Sequence, residues 1–186
     1  MTRSITVRIG VVLLVGCLIV TIVGYAASDG IYYKQFLREK HLNTPERVFK
    51  YTTAYYGIAS PGDTIQPYLS PRYLMKRRKK LWCDEGATVM ATLDHTLGYK
   101  TRLIDLYGAD NISHHTVMQV FENSRWITYD FTYRLRDVPF NQCTQLYKYN
   151  VAKVSVKPYP KFYNAVVNNN AVAKFVLFKL RSIQEK

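Results

Sequence analysis

The sequence predicts an α+β fold in which a helix packs on an antiparallel sheet. The segment 83–96 and the residue after it place apolar side chains at helical spacing, namely Val89, Met90, Leu93 and Leu97. Further along, "HTVMQVFE" (115–122) and "RWITYDFTY" (125–133) have strand-like patterns on either side of a short turn. Neighbouring strands joined by so short a turn must run antiparallel, and the preceding helix can cover one face of their sheet.

Two further helices are expected before this one. Residues 31–40, "IYYKQFLREK", can continue as a helix from the segment that precedes them. The sequence "TPE" at 44–46 begins a second helix, with threonine as N-cap, proline in the first turn and an acid near the positive helix end. This helix should run to Tyr56 and end at Gly57.

Prolines and glycines delimit the remaining elements. Residues 60–73 contain three prolines and are predicted to form a loop. Gly98 should end the helix that begins at Cys83. A strand is expected at 99–107, "YKTRLIDLY", and another at 149–159, "YNVAKVSVKPY".

Composition limits the class of protein and its partners. The 186 residues suffice for one domain, and 48% hydrophobic with 21% charged residues excludes disorder over most of the chain. The net charge of +13 favours an anionic membrane or an acidic polymer as partner. Nucleic acid is not expected, since no nucleic-acid motif accompanies the charge.

The N-terminal segment predicts attachment to a membrane or export. Residues 9–28 contain no charged residue and are long enough to span a bilayer as a helix. Arg3 and Arg8 precede them and favour a cytoplasmic N-terminus, although "GYAA" at 24–27 also resembles a cleavage site. A signal anchor and a removed signal peptide both place residues 29–186 in the periplasm or cell exterior, as an anchored or a secreted protein.

These features divide the chain into four parts. Residues 1–28 form the signal anchor or signal peptide, and 29–75 a helical part that ends in a loop. Residues 76–160 form the core, and 161–186 a basic amphipathic helix at the C-terminus.

Cys83 is the principal candidate for chemistry. A cysteine at a helix N-terminus lies beside unpaired backbone N–H groups and the positive end of the helix dipole, which stabilise a thiolate. Lys79 and Lys80, in the run "KRRKK" at 76–80, add positive charge and can attract an acidic substrate. Cys83 is therefore a candidate nucleophile.

A cysteine nucleophile needs a base, and the strand register selects one. With Asn123-Ser124 as a two-residue turn, facing residue numbers sum to 247, so that His115 lies opposite Thr132. Asp130 is then the diagonal neighbour of His115 on the same face, close enough for the side chains to meet. A three-residue turn would instead favour His114.

These residues together resemble a known family. The segments "LWCDEGATVMATLDHTLGYKTRLIDLYG" (81–108) and "HHTVMQVFENSRWITYDFTY" (114–133) are similar to the transglutaminase-like superfamily, a branch of the papain-like cysteine enzymes. The matching positions are Cys83, Leu97-Gly98, Arg102, His115, Trp126 and Asp130.

The resemblance implies a papain-like core and a role for each member of the site. Cys83 would be the nucleophile, His115 the general base and acid, and Asp130 the residue that orients it. The Cys83 backbone N–H is the natural first donor to an oxyanion, with Trp82 or Gln66 as candidates for a second.

Three positions depart from the family pattern. Val117 stands where an aromatic residue is common, Gln119 where an acid is common, and Phe131 where a proline is common. These departures bear on substrate specificity more than on the three catalytic candidates.

The sequence therefore predicts a membrane-anchored thiol hydrolase or acyltransferase. It would act through a thioester on peptide, protein or cell-envelope amide bonds, without a cofactor, and no metal-ligand spacing supports a zinc site. The alternative is a non-catalytic binding module or envelope assembly factor, in which Cys83 and Cys143 form a disulfide. A basic protein that only binds a membrane surface or polymer is a third hypothesis.

Overall fold

The fold is α+β, as the sequence predicts. The computed structural model describes residues 24, 27–63, 70–137 and 151–159 of the chain. Within these ranges, four helices accompany one five-stranded antiparallel sheet and one small parallel pair of strands.

Three of the four described helices were expected from the sequence. The helices are α1 (27–39), α2 (Pro45–Tyr55), α3 (Pro71–Arg77) and α4 (Cys83–Thr96), and α3 was not expected. The predicted start of α2 is confirmed, since the Thr44 side chain accepts a hydrogen bond from the Arg47 N–H at 3.3 Å. Helix α4 has the predicted bounds, and Gly98 beyond it has the left-handed φ of +94° that favours glycine.

The main sheet is built mostly from neighbours in sequence. Its strands are β3 (Thr101–Tyr107), β4 (Ser113–Glu122), β5 (Arg125–Asp130), β6 (Leu135–Arg136) and β7 (Lys153–Tyr159), in the order β6-β5-β4-β3-β7. Strands β1 (Gly57–Ile58) and β2 (Lys80–Leu81) pair separately in parallel. The two-residue turn at 123–124 and its register are confirmed, because Met118 faces Tyr129 and Glu122 faces Arg125.

Several predicted boundaries are wrong by a few residues. The predicted loop at 60–73 contains the start of α3 at Pro71, because Ser70 caps this helix by accepting from the Tyr73 N–H. The strand expected at 99–107 begins at Thr101. Gly57 starts β1 instead of ending α2 as a left-handed cap, since Tyr56 leaves the helix in an extended conformation.

The strand expected at 125–133 ends at Asp130 for a local reason. The Asp130 carboxylate accepts a hydrogen bond from the Tyr133 backbone N–H at 3.0 Å, and this bond folds the chain into a turn. The ladder between β4 and β5 stops at Met118 and Tyr129, so His115 and Thr132 are not a ladder pair.

The core lies between α4 and one face of the sheet. Buried apolar side chains from α4, β4 and β5 form one cluster with residues of the other helices; its members on these three elements include Val89, Met90, Leu93, Met118, Val120, Ile127 and Tyr129. A hydrogen bond of 2.7 Å between the Thr92 and Tyr159 hydroxyls joins α4 to β7. Helix α4 is thereby held along the sheet, which fixes the position of its first residue, Cys83.

Some predictions fall outside this part of the chain. Residues 1–23 of the predicted N-terminal segment, Gln66, Cys143 and the C-terminal helix at 161–186 are not among the described residues. Among the residues that are described, no helix combines the length and the apolar character needed to cross a membrane.

Helix α4 contains a buried acid, Asp94, that has no hydrogen-bond partner in the described part of the chain. Asp94 is fully buried, and neither of its carboxylate oxygens has a hydrogen-bond partner among the described residues. Burial, with a smaller contribution from Glu122, raises the pKa of Asp94 well above its ordinary value. The folded protein therefore holds this carboxyl in its neutral form over a wider pH range than the unfolded chain does.

We expect Asp94→Asn to stabilise the protein at neutral pH. A carboxyl whose pKa is raised by folding contributes stability that is lost as the pH rises above its ordinary value of 3.8. Wild type should therefore lose up to about 1.4 kcal/mol of unfolding free energy per pH unit relative to Asp94→Asn. Urea unfolding at acidic and neutral pH measures this difference, with Asp84→Asn, exposed on the same helix, as control. A constant difference between the two proteins at both pH values would contradict the prediction.

Candidate active site around Cys83

Cys83 occupies the first position of α4 and is a half-buried free thiol. The backbone N–H groups in this turn have no intrahelical acceptors, so the thiol lies at the positive end of the helix. The Glu85 carboxylate accepts the Trp82 backbone N–H at 3.0 Å and fixes the residue before the helix. The sequence "WCDE" thus sets the backbone around the thiol locally.

His115 and Asp130 form a buried pair near Cys83. The His115 Nε2 and the Asp130 Oδ2 are 2.7 Å apart, and the side chains are 5% and 1% exposed. The other Asp130 oxygen accepts the Tyr133 N–H, so two hydrogen bonds orient the carboxylate. Asp130 occupies Nε2, so Nδ1 is the ring nitrogen left to face Cys83, whose side chain contributes to the raised pKa of His115.

The charges around His115 favour its protonated form. Burial disfavours the imidazolium, but the hydrogen bonds and charges of Asp130 and Cys83 outweigh burial and raise the pKa of His115 to about 9. The raised pKa favours the protonated ring at neutral pH, with the Asp130 carboxylate hydrogen-bonded to Nε2. A protonated imidazole in this position can donate a proton to a group bound beside Cys83.

A very close contact brings the helix and the strand end together. Phe131 directly follows Asp130 and is 1% exposed, and its ring lies so near Gly86 that a Cβ there would overlap it. Glycine is thus the residue that lets the turn after β5 approach the first turns of α4. The contact places Asp130, and through it His115, beside Cys83.

Tyr133 covers part of the site. Its ring meets the His115 ring edge to face, with centroids 5.4 Å apart, and the residue is 41% exposed. Sequence reasoning missed its contribution and that of Glu85. Both had a local signal, because Asp130 lies three residues before Tyr133 and Glu85 three residues after Trp82.

The other predicted site residues have mixed outcomes. The backbone N–H of Trp82 is taken by Glu85, while its indole Nε1 is buried without a partner in the described ranges. Lys79 is exposed, and Lys80 lies 3.5 Å from the Asp63 carboxylate.

His114 is separate from the site. Its Nε2 lies 2.7 Å from the Asp110 carboxylate at the exposed start of β4, consistent with the two-residue turn at 123–124. Among the described residues, no three His, Cys, Asp or Glu side chains form a cluster that could hold a metal ion.

Arg102, Trp126 and Gln119 form a set of contacts across three strands of the sheet. The Arg102 guanidinium lies 3.9 Å from the Trp126 ring centroid and donates to Gln119 at 2.7 Å. Gln119 in turn donates to the Thr128 hydroxyl at 2.9 Å. The register places these residues on the His115 face of β3, β4 and β5.

No protein-family model matches this chain, and no curated protein matches its sequence.

The raised pKa of His115 predicts a pH-dependent stability. A histidine whose pKa is raised by folding contributes stability that is complete below its ordinary value of 6.5 and is lost as the pH rises through about 9. Wild type should lose unfolding free energy across this window, while His115→Gln should lose less. Urea unfolding at both ends of the window measures it, with His114→Gln as the control on a neighbouring exposed ring. Equal losses in wild type and His115→Gln would contradict the assignment.

The contact at Gly86 predicts that Gly86→Ala is destabilising. The added methyl overlaps the Phe131 ring, so we expect a loss of about 1–3 kcal/mol in unfolding free energy and slower alkylation of Cys83. Gly30→Ala is the matched control, since Gly30 is also helical but has open space around it. There alanine should be neutral or stabilise by up to about 1 kcal/mol. Equal effects at the two positions would rule out the steric explanation.

Proposed function

We propose that this protein is a cysteine-dependent enzyme that hydrolyses or transfers acyl groups at amide bonds. The supporting observation is the chain of contacts from Cys83 through His115 to the buried carboxylate of Asp130. A nucleophile, a base in hydrogen-bond reach and an orienting acid are the parts that this chemistry needs.

Each residue has one task in the proposed reaction. The Cys83 thiolate attacks the amide carbonyl carbon, and the carbonyl oxygen becomes an oxyanion near the Cys83 backbone N–H. His115 then gives its Nδ1 proton to the leaving amine as the C–N bond breaks and a thioester forms. In the second half, His115 removes a proton from water or an acceptor amine, which attacks the thioester and releases the thiolate.

The resemblance to the transglutaminase-like superfamily supports the same proposal independently of these contacts. In that family pattern, a cysteine at a helix start is followed by a histidine and an aspartate on neighbouring strands, here Cys83, His115 and Asp130. The α+β architecture is compatible with a papain-like core. Peptide, protein or cell-envelope amides are the substrate classes that we propose.

The proposed location is the outer side of a membrane. The support is the uncharged sequence at 9–28, with Arg3 and Arg8 before it. An anchored enzyme would face the periplasm or cell exterior, and removal of the segment would give a secreted form.

The first test is the rate at which iodoacetamide alkylates Cys83. We expect alkylation at pH 6 to be about tenfold or more faster in wild type than in His115→Ala, because the imidazolium stabilises the reactive thiolate. Mass spectrometry of the peptide that contains Cys83 separates it from Cys17 and Cys143. Cys143→Ala is the control and should keep the wild-type rate.

Two outcomes would count against the enzyme. Equal, slow alkylation in wild type and His115→Ala would show that His115 does not activate Cys83. A peptide linking Cys83 to Cys143 under non-reducing conditions would support the binding module or assembly factor instead.

A further inference from the structure

Helix α3 has a buried side and a basic, aromatic side. Pro71, Leu74 and Met75 are buried, whereas Tyr73 is 44% exposed and the last turn carries the exposed Lys76 and Arg77. We call the exposed side of α3, together with Tyr32 of α1, the α3 surface.

Tyr32 extends the α3 surface and stacks with its cations. The Arg72 guanidinium and the Lys76 ammonium each lie 5.0 Å from the centre of the Tyr32 ring. Tyrosines beside lysine and arginine are typical of surfaces at the membrane–water boundary, where a ring can enter the headgroup layer and a cation can bind phosphate.

Polar contacts hold α3 at the end of the uncharged segment. Arg72 donates to the Ser28 hydroxyl and to the Asp29 carboxylate, each at 2.9 Å, and Asp29 is 4% exposed. The Arg72 backbone N–H also donates to the Tyr33 hydroxyl at 3.0 Å. The α3 surface is therefore fixed beside residues 28 and 29, where the uncharged sequence ends and the charged domain begins.

The two cations of the last turn are not neutralised locally. Arg72 already pairs with Asp29, and Lys80 lies near Asp63. Within the described ranges, no carboxylate lies within 4 Å of the Lys76 ammonium or the Arg77 guanidinium. Their charge is thus available to an anion outside the protein.

We propose that the α3 surface binds the phosphate headgroups of anionic phospholipids. Each cation near an anionic bilayer contributes on the order of a fivefold gain in binding. The domain is then held against the membrane by α3 as well as by its N-terminal segment. Helix α3 packs against α4, which begins at Cys83, so binding of α3 also brings α4 to the membrane. The proposal rests on the proposed membrane attachment and is independent of the chemistry of Cys83.

The test places a fluorescent reporter on the α3 surface. The full chain carrying Tyr73→Trp, with Trp82→Phe and Trp126→Phe to remove the two native tryptophans, is reconstituted into nanodiscs of brominated phosphatidylcholine, with or without phosphatidylglycerol, since bromine quenches tryptophan at contact distance. We expect stronger quenching with phosphatidylglycerol, and relief of that extra quenching by salt. Lys76→Gln with Arg77→Gln should weaken the contact by about fivefold for each cation removed.

Two matched controls make the result specific. The double variant Lys100→Gln and Lys153→Gln also removes two positive charges. Lys100 directly precedes β3 and Lys153 begins β7, and both are exposed. This variant should leave the quenching unchanged. A Phe121→Trp reporter, on the sheet face opposite α4, should show no phosphatidylglycerol-dependent quenching.

Three results would overturn the proposal. The first is equal quenching of Tyr73→Trp with and without phosphatidylglycerol. The second is that the control lysine variant loses as much quenching as Lys76→Gln with Arg77→Gln. The third is that phosphatidylglycerol increases the quenching of Phe121→Trp and not that of Tyr73→Trp. Alkylation of Cys83 in the same nanodiscs reports on the proposed enzyme separately, so failure of one proposal is distinguishable from failure of the other.

Discussion

The close contact between Gly86 and Phe131 is the constraint on which the candidate site depends. It joins the first turns of α4 to the turn that follows β5, two elements that are distant in sequence. Any side chain at Gly86 would push the turn away, and Asp130 immediately precedes that turn. At this position an aromatic ring packed on a glycine fixes the turn.

The buried charges of His115 and Asp130 lower the stability of the fold unless each charged group has its hydrogen-bond partners. His115 and Asp130 are nearly inaccessible to water, and each polar atom that remains unbonded at such a depth lowers stability. The Tyr133 N–H and the Cys83 thiol supply the further partners of Asp130 and His115. Asp94, on the same helix, shows the contrast: its carboxylate has no hydrogen-bond partner among the described residues, and burial raises its pKa well above the ordinary value.

Much of the local structure could be read from the sequence, since its causes are local. Spacing of apolar residues and Gly98 defined α4, and the turn at 123–124 set the register that brings His115 and Asp130 to one face. The bounds of α3 and the end of β5 were missed. They depend on single side-chain caps, by Ser70 and Asp130, which compete with the signals of prolines and of strand-like residues.

The sequence alone thus determined helices α1, α2 and α4, the strands of the main sheet other than β6, the register of β4 on β5 and the candidate site residues, because each follows from near neighbours or a repeating pattern. Only the tertiary structure decided that the Cys83 and His115 side chains meet and that Arg72 ties α3 to Asp29. These contacts depend on packing between residues far apart in the chain. Such packing is set by shape and buried charge across the whole domain, which no local pattern encodes.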